Sequence, residues 1–287
     1  MTHDQQLTVG ILHPGRMGAG IAAEARKNVD VLWCPTGRSE ATAARAEAGR
    51  FTAVPTVAEL VERSDVILSI CPPMFAEAIA AEVGQYDVSG KDYVEANPVT
   101  RQQLDQITKA LPGAAVIDGA IIGSVPGTGK KPALYVAGPS HATLMLAAIF
   151  SGTDVIVRRL GTEVGKASAL KSAYSTYQKG ARVLTVLAHA LADEHGVRDE
   201  MLELAAQRSG SYLSEPDYVA ELAAIAWRWS PDLTVAAAEL DAAGYPGQAV
   251  GALADVLDQW SSTRNNWDLS PSEATEILRR DSAGRSE

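Results

Sequence analysis

Between Leu7 and about Val157 short apolar runs alternate with alanine-rich stretches, and no other feature restricts the fold of this chain as strongly. The runs are LTVGIL from Leu7, VDVLWC from Val29, DVILSIC from Asp65, DYVEA from Asp92, AAVIDGAII from Ala114, ALYVAG from Ala133 and DVIVRR from Asp154. They have strand length and β-branched content. The stretches between them, such as Met17 to Arg26, Glu40 to Ala48 and Met74 to Val83, have helix-forming composition with apolar residues three and four apart. Parallel strands need long crossovers, so this alternation predicts an α/β, Rossmann-type doubly wound domain over residues 1–160.

Beyond Gly161 the strand signals stop, and residues 161–287 read as an all-α domain. A long interdomain helix from Glu163 to His195, closed by Gly196, joins the two. Four helices follow in this reading: Arg198 to Gln207, Pro216 to Trp229, Leu233 to Ala243 and Pro246 to Trp260, separated by SGSY, SPD and GYPG turns. The terminal DSAGRSE is expected to fray.

With 287 residues, 46% of them apolar, the chain can bury two ordinary cores. Acidic residues outnumber basic ones by 35 to 25 and both halves are acidic, which argues against a nucleic-acid partner. Cys34 and Cys71 have no second cysteine at metal or redox spacing, so a reducing compartment and no metal are expected. The start MTHDQQ lacks a basic segment followed by an apolar one, and no apolar run approaches the ~20 residues of a membrane span. The expectation is a soluble, cytoplasmic protein without a membrane partner.

The run LTVGILHPGRMGAGIAAEAR places a buried strand, a turn and an immediate helix in succession. Gly15 lets backbone approach a phosphate, Gly18 lets the helix pack close to the strand, and the free N–H groups of that helix favour a pyrophosphate. His13 stands where the pattern G-x-G-x-x-G has its first glycine. It either borders the cofactor with Gly15, Arg16, Met17 and Gly18 or is a turn residue shielding the strand end. After the second strand there is no carboxylate to accept from two ribose hydroxyls. PTGRSE offers Thr36, Arg38 and Ser39 instead, a cation and two hydroxyls suited to a phosphate monoester. NADP is therefore favoured over NAD, with Arg38 as the main contact; the alternative for Arg38 is a solvated loop residue.

HPGRMG followed by a small-residue helix resembles the GLGxMG turn of the β-hydroxyacid dehydrogenase and 6-phosphogluconate dehydrogenase superfamily. SDVILSICPP, with Cys71 and Pro72, and YVEANPVT, with Asn97, resemble the family's fourth-strand segment and its nicotinamide-side loop. VIDGAIIGS resembles the substrate loop DAPVSGG, and GKASALKSAYS resembles the helix G-x-x-x-K-x-x-x-N. The resemblance implies that Lys171 is the catalytic proton donor or acceptor and that Asn97, Cys71 and Pro72 border the cofactor. It implies a substrate site at Gly123, Ser124 and Ser175. Ser175 replaces the family's asparagine and Ile122 its loop serine, so a standard 3-hydroxy acid is not implied.

On the long helix Ser168, Lys171, Ser175, Gln178 and Arg182 form one polar stripe beside an apolar face of Val164, Leu170, Tyr174, Tyr177 and Leu184. AIAWRWSPDLTVAAAELDAAGYPG resembles the C-terminal domain of phosphogluconate dehydrogenase-like oxidoreductases. Trp227, Arg228 and Trp229 there either line a substrate pocket or serve core and subunit packing. Family members dimerise through these helices, so a homodimer is implied. Three functions follow: NADP-dependent hydride transfer on a small or medium hydroxy acid or alcohol, imine reduction as practised by the related imine reductases, and a non-catalytic dinucleotide sensor.

Overall fold

The computed structural model describes residues 7–129, 131–207 and 218–278; the MTHDQQ start, the SGSY turn and the DSAGRSE end lie outside them. The chain divides into two compact units, Met1–Tyr174 and Ser175–Glu287.

The first unit is built on one eight-stranded sheet in the order β3-β2-β1-β4-β5-β6-β7-β8. The strands are β1 (Thr8–Ile11), β2 (Asp30–Trp33), β3 (Thr52–Ala53), β4 (Val66–Ser69), β5 (Asp92–Glu95), β6 (Ala115–Ile122), β7 (Ala133–Ala137) and β8 (Ile156–Arg159). The first six run parallel, joined by α1 (Arg16–Ala25), α2 (Glu40–Ala48), α3 (Val57–Arg63), α4 (Ala76–Val83) and α5 (Arg101–Ala110). Side chains alternate between two buried clusters. Val9, Ile11, Val31, Trp33, Val66, Leu68 and Ile117 meet α1 and α6 (Ser140–Ile149), while Leu32, Ile67, Tyr93 and Val116 meet α3, α4 and α5. This is the two-sided burial that near-continuous apolar strands require, each buried aliphatic contributing about 2 kcal/mol.

Three expectations need correction here. The last two strands are not part of the parallel run: β7 is antiparallel to β6, and β8 is parallel to β7. The described residues joining β6 to β7 hold no helix, so the chain returns alongside the strand it has just left. β3 and α3 were not anticipated, being two and seven residues long; Thr56 caps α3 by accepting from the Glu59 N–H at 3.1 Å.

The third correction concerns the SPD turn. Pro231 lies inside one continuous helix, α9 (Tyr218–Ala242). Proline removes a single helical N–H, and burial of Ala223, Ala224, Ala226 and Leu240 on both sides of it outweighs that loss. The long helix is α7 (Lys166–Glu194), ended by a Schellman turn: Val197 N–H donates to the Ala192 carbonyl at 2.9 Å, with Gly196 left-handed at φ 66°. The division between units falls within α7, later than the expected boundary after residue 160, because the first turn of α7 is tied to β6.

The second unit also holds α8 (Arg198–Ala206), α10 (Gln248–Asp258) and α11 (Pro271–Ile277). Its core joins Ala223 and Ala226 of α9 to Leu257, Trp260 and Ala274, and Trp260 Nε1 donates to the Ala274 carbonyl at 2.8 Å. Among the described residues no helix is long and apolar enough to cross a membrane.

All the loops that follow the parallel strands emerge on one edge of the sheet, where open α/β sheets bind ligands. There α1 lies close against the turn that precedes it: a Cβ on Gly18 would stand 2.5 Å from the backbone oxygen of His13. Gly18→Ala should therefore destabilise the first unit by about 1–3 kcal/mol, read as a shift of the urea midpoint at unchanged slope.

Candidate functional site

At the end of β1 the chain turns through His13, Pro14 and Gly15 into α1, and the Gly15 N–H donates to the His13 carbonyl at 2.8 Å. Gly15 is the N-cap, no side chain caps the helix, and open space surrounds the place where a Gly15 Cβ would stand. The first-turn N–H groups of a helix have no intrahelical acceptor, so this end favours an anion. Arg16 is exposed, while Met17 is part-buried against the core. His13 is half-buried, its Nδ1 buried without a partner. Burial first and the positive charge of Arg38 second push its imidazole down to about 4, so it is neutral at physiological pH.

Arg38 follows β2 in a turn whose N–H donates to the Pro35 carbonyl at 3.0 Å, and its Nε is buried without a partner. The two hydroxyls expected beside it are engaged. Thr36 donates to the Pro55 carbonyl at 3.0 Å, which uses its only proton, and Ser39 caps α2 by accepting from Thr42 N–H at 3.3 Å. Arg45 of α2 reaches back to the turn, its Nε donating to the Pro14 carbonyl at 3.1 Å. The residues fit a phosphorylated dinucleotide: an uncapped helix end, open space at Gly15, and two buried nitrogen atoms that lack an acceptor or donor in the protein.

In the centre of the sheet, Ser69, Glu95 and Asp118 stand in register across β4, β5 and β6. Asn97, expected to face a nicotinamide, is instead buried among them. Its Oδ1 accepts from Cys71 N–H at 2.7 Å, and its amide nitrogen donates to Glu95 Oε1 and reaches Ser69 Oγ and Cys71 Sγ at 3.3 Å. Asn97 thereby ties the loop after β4 to the loop after β5. Burial pushes the Glu95 carboxyl up to about 7, against the opposing bond from Asn97. Burial and the neighbouring Glu95 push the Cys71 thiol up to about 11, so it is not a nucleophile. Cys71, Pro72, Phe75, Ala78, Ile79 and Glu82 line a hollow of about 380 Å³ with His13.

Asp118 was not anticipated. It is fully buried and accepts at Oδ2 from the N–H groups of Gly165, Ala167 and Ser168 at 2.9, 2.8 and 3.1 Å. Its Oδ1 takes the Ser168 hydroxyl at 2.6 Å. A carboxylate in VIDGA, inside an otherwise apolar strand, was the available signal, because a buried charge requires donors. Ser168, expected on a polar stripe, is thus spent on holding the helix. One turn on, Lys171 Nζ donates to the carbonyl of Ile121 at the end of β6. Gly123 follows with φ 128°, and Ser124 is exposed. Val125 and Pro126 lie against Gly20 of α1, where a Cβ would come within 2.8 and 3.0 Å of them. The loop after β6 is therefore seated on the helix that opens at the glycine turn.

In the second unit Ser175 is half-buried. Trp227 lies under the Arg264 guanidinium, 3.7 Å from its ring centre, with Nε1 buried and unpartnered. Trp229 pairs with Tyr218 at 6.3 Å and stays exposed; the side chains of Arg182 and Arg228 lie outside the described ones. Tyr174, expected on the apolar face of α7, is exposed. Among the described residues no three His, Cys, Asp or Glu side chains could hold a metal ion.

No model of a protein family matches the chain. An uncharacterised 28.5 kDa protein of Methanothermus fervidus is 28% identical over 204 residues, 71% of this chain and 78% of that protein. A conserved protein of unknown function, whose structure is described as similar to 3-hydroxyacid dehydrogenases, superposes with a TM-score of 0.59 at 22% identity, covering 90% of this chain and 99% of that one. A reductive aminase of Aspergillus terreus, solved with NADPH and ethyl levulinate, superposes with a TM-score of 0.72 at 16% identity, covering 96% of this chain and all of that one. The chain has the fold shared by these proteins. That fold is the Rossmann-type domain with a helical C-terminal region anticipated from the sequence.

The Glu95 carboxyl, ordinarily near 4.5, keeps its proton in the folded protein up to about 7. Its contribution to stability is complete below about 4.5 and is lost as pH rises to about 7, in all about 3 kcal/mol. Glu95→Gln should abolish that slope and make the protein more stable than wild type near pH 8, measured by urea unfolding across the range.

Proposed function

We propose that this chain is an NADP-dependent oxidoreductase that moves a hydride to or from a small or medium hydroxy acid or alcohol, with Lys171 as the proton donor or acceptor. The observation that carries the reading is that two features suited to such a reaction share one edge of one sheet. A helix end with unpartnered nitrogen atoms beside it follows β1, and an anchored lysine stands at the end of β6. The relatives of this fold solved with NADPH support the cofactor.

NADP, when bound, supplies or accepts the hydride. The chain does the rest. The first turn of α1 receives phosphate oxygens, and Arg38 offers its unpartnered Nε to a phosphate monoester. Lys171 carries three N–H donors, and its bond to the Ile121 carbonyl fixes where the ammonium sits. In the direction of reduction the ammonium stabilises the charge growing on the substrate oxygen and delivers a proton there; in oxidation the neutral amine takes that proton back. Gly123 and Ser124, on the loop seated against α1, are the proposed substrate contacts of the first unit.

A second reading, imine reduction, draws support from the reductive aminase fold. The same proton would then be delivered to nitrogen. Exposed apolar residues of the second unit, Leu204 at 68% and Trp267 at 62%, support a homodimer through the C-terminal helices. The two unpaired cysteines suit a reducing cytoplasm.

Turnover of a panel of hydroxy acids, ketones and cyclic imines with NADPH decides between the readings. Lys171→Ala should lower kcat on the best substrate by roughly 10²–10⁴-fold with NADPH affinity kept; unchanged turnover removes Lys171 from the mechanism, and no turnover of any member leaves a dinucleotide sensor. Arg38→Ala should weaken NADPH by about 2 kcal/mol, roughly thirtyfold, and leave NADH unaffected in a fluorescence titration.

A further inference from the structure

His13 occupies the place of a glycine at the tightest point of the dinucleotide turn, and the cofactor reading gives its imidazole no task. Its Nδ1 and the Nε of Arg38 are both buried and both unpartnered. Leaving two such nitrogen atoms unsatisfied is costly in a protein interior, and native proteins keep few of them unless a ligand completes the bonds. One ligand oxygen group of high negative charge satisfies both, because a guanidinium donates and an imidazole that gains a proton donates as well. His13 borders the hollow that runs to Cys71, Phe75 and Ile79 after β4, and Arg38 comes from the loop after β2.

We propose that His13 and Arg38 together seat the 2′-phosphate of NADP, and that His13 takes up a proton from solvent as the phosphate binds. The proposal rests on the cofactor reading above. The charges that face His13 come from four sides. Arg16 stands on its own turn, Arg38 after β2, and Arg45 reaches from α2 to the Pro14 carbonyl. From β4 and α4 come the neutral Cys71 thiol and the carboxylate of Glu82, which also lines the hollow. Burial first, and the charge of Arg38 second, keep the imidazole neutral in the free protein. A phosphate dianion reverses the balance at His13, so a proton that the free site refuses is held in the complex. The raised value in the complex means that affinity is gained as pH falls through it. The pyrophosphate, present in NAD and NADP alike, is the other candidate for the His13 proton, and the two are separated by the choice of ligand.

Calorimetric titration near neutral pH, in two buffers of different ionisation enthalpy, counts the protons taken up. NADPH and 2′,5′-ADP should each bind with uptake approaching one proton, and NADH with none. In His13→Gln, and in His13→Gly, which restores the glycine, NADPH should bind without that uptake. From about pH 7.5 to about pH 5.5 the NADPH affinity of wild type should rise close to a hundredfold relative to His13→Gln, roughly tenfold for each pH unit over which one proton is taken up. The second ionisation of the 2′-phosphate itself, near about 6, is common to both proteins and cancels in the ratio. Equal uptake in wild type and in both variants overturns the proposal. Uptake with NADH as well assigns the proton to the pyrophosphate and overturns the 2′-phosphate seat. Failure of wild type to bind either dinucleotide removes the cofactor reading, a result distinct from binding without proton uptake.

Discussion

The carboxylate of Asp118 is the interaction on which the site depends. It is a fully buried charge, and its donors are the amides of Gly165, Ala167 and Ser168 and one hydroxyl, all at the start of α7. The helix end needs acceptors for its free amides and the carboxylate needs donors, so each removes the other's penalty, and the positive end of the helix dipole adds to the fit. Because Asp118 lies in the same strand as Ile121, the pairing fixes the start of the helix against the strand whose end anchors Lys171. A lysine with four rotatable carbons is otherwise a poorly placed charge. Here its helix and its acceptor are held by one carboxylate.

Buried polar atoms near the sheet edge are satisfied unevenly. Asn97 and Asp118 are engaged, and Asn97 locks the loops after β4 and β5 to each other, but Glu95 Oε2 and the Tyr93 hydroxyl beside them are buried without a partner. Around the glycine turn His13 and Arg38 keep unpartnered nitrogen atoms. Fully satisfied networks are rigid, and each unsatisfied buried atom carries a cost that a bond from another group would remove.

Much of this was legible in the sequence, for reasons that also set its limits. Strand positions could be read because a parallel sheet buried on both faces demands apolar runs such as VILS and AVIDGAII. Strand direction is not written in those runs. β7 reads like its neighbours and differs only in that no helix precedes it. Pro231 signalled a break that the buried alanines of α9 overrule, since a local preference of a few kcal/mol yields to packing along a whole helix. The turn of His13, Gly15 and Gly18 between β1 and α1 could be read from spacing, and the role proposed for Lys171 comes from resemblance. Thr36, Ser39 and Asn97 looked equally suited to a ligand, but their hydrogen bonds go to Pro55, Thr42 and Cys71, and no pattern along the chain records which partner a hydroxyl or amide finds. Glu95 and Asp118 acquire their character from strand register, a relation between residues distant in sequence.

The antiparallel return from β6 to β7 has an evolutionary consequence. A crossover helix has to span the sheet and pack on it, so its length and apolar face are fixed by the strands it connects. The described residues between Ile122 and Ala133 carry no such helix; Val125 and Pro126 rest on Gly20, and Lys131 and Pro132 bond to the start of β8 and the residues before it. This loop can lengthen, shorten or change composition while all eight strands keep their register. Descendants of this fold can thus alter the surroundings of Lys171 by editing one surface loop, leaving the glycine turn and the Asp118 anchor untouched.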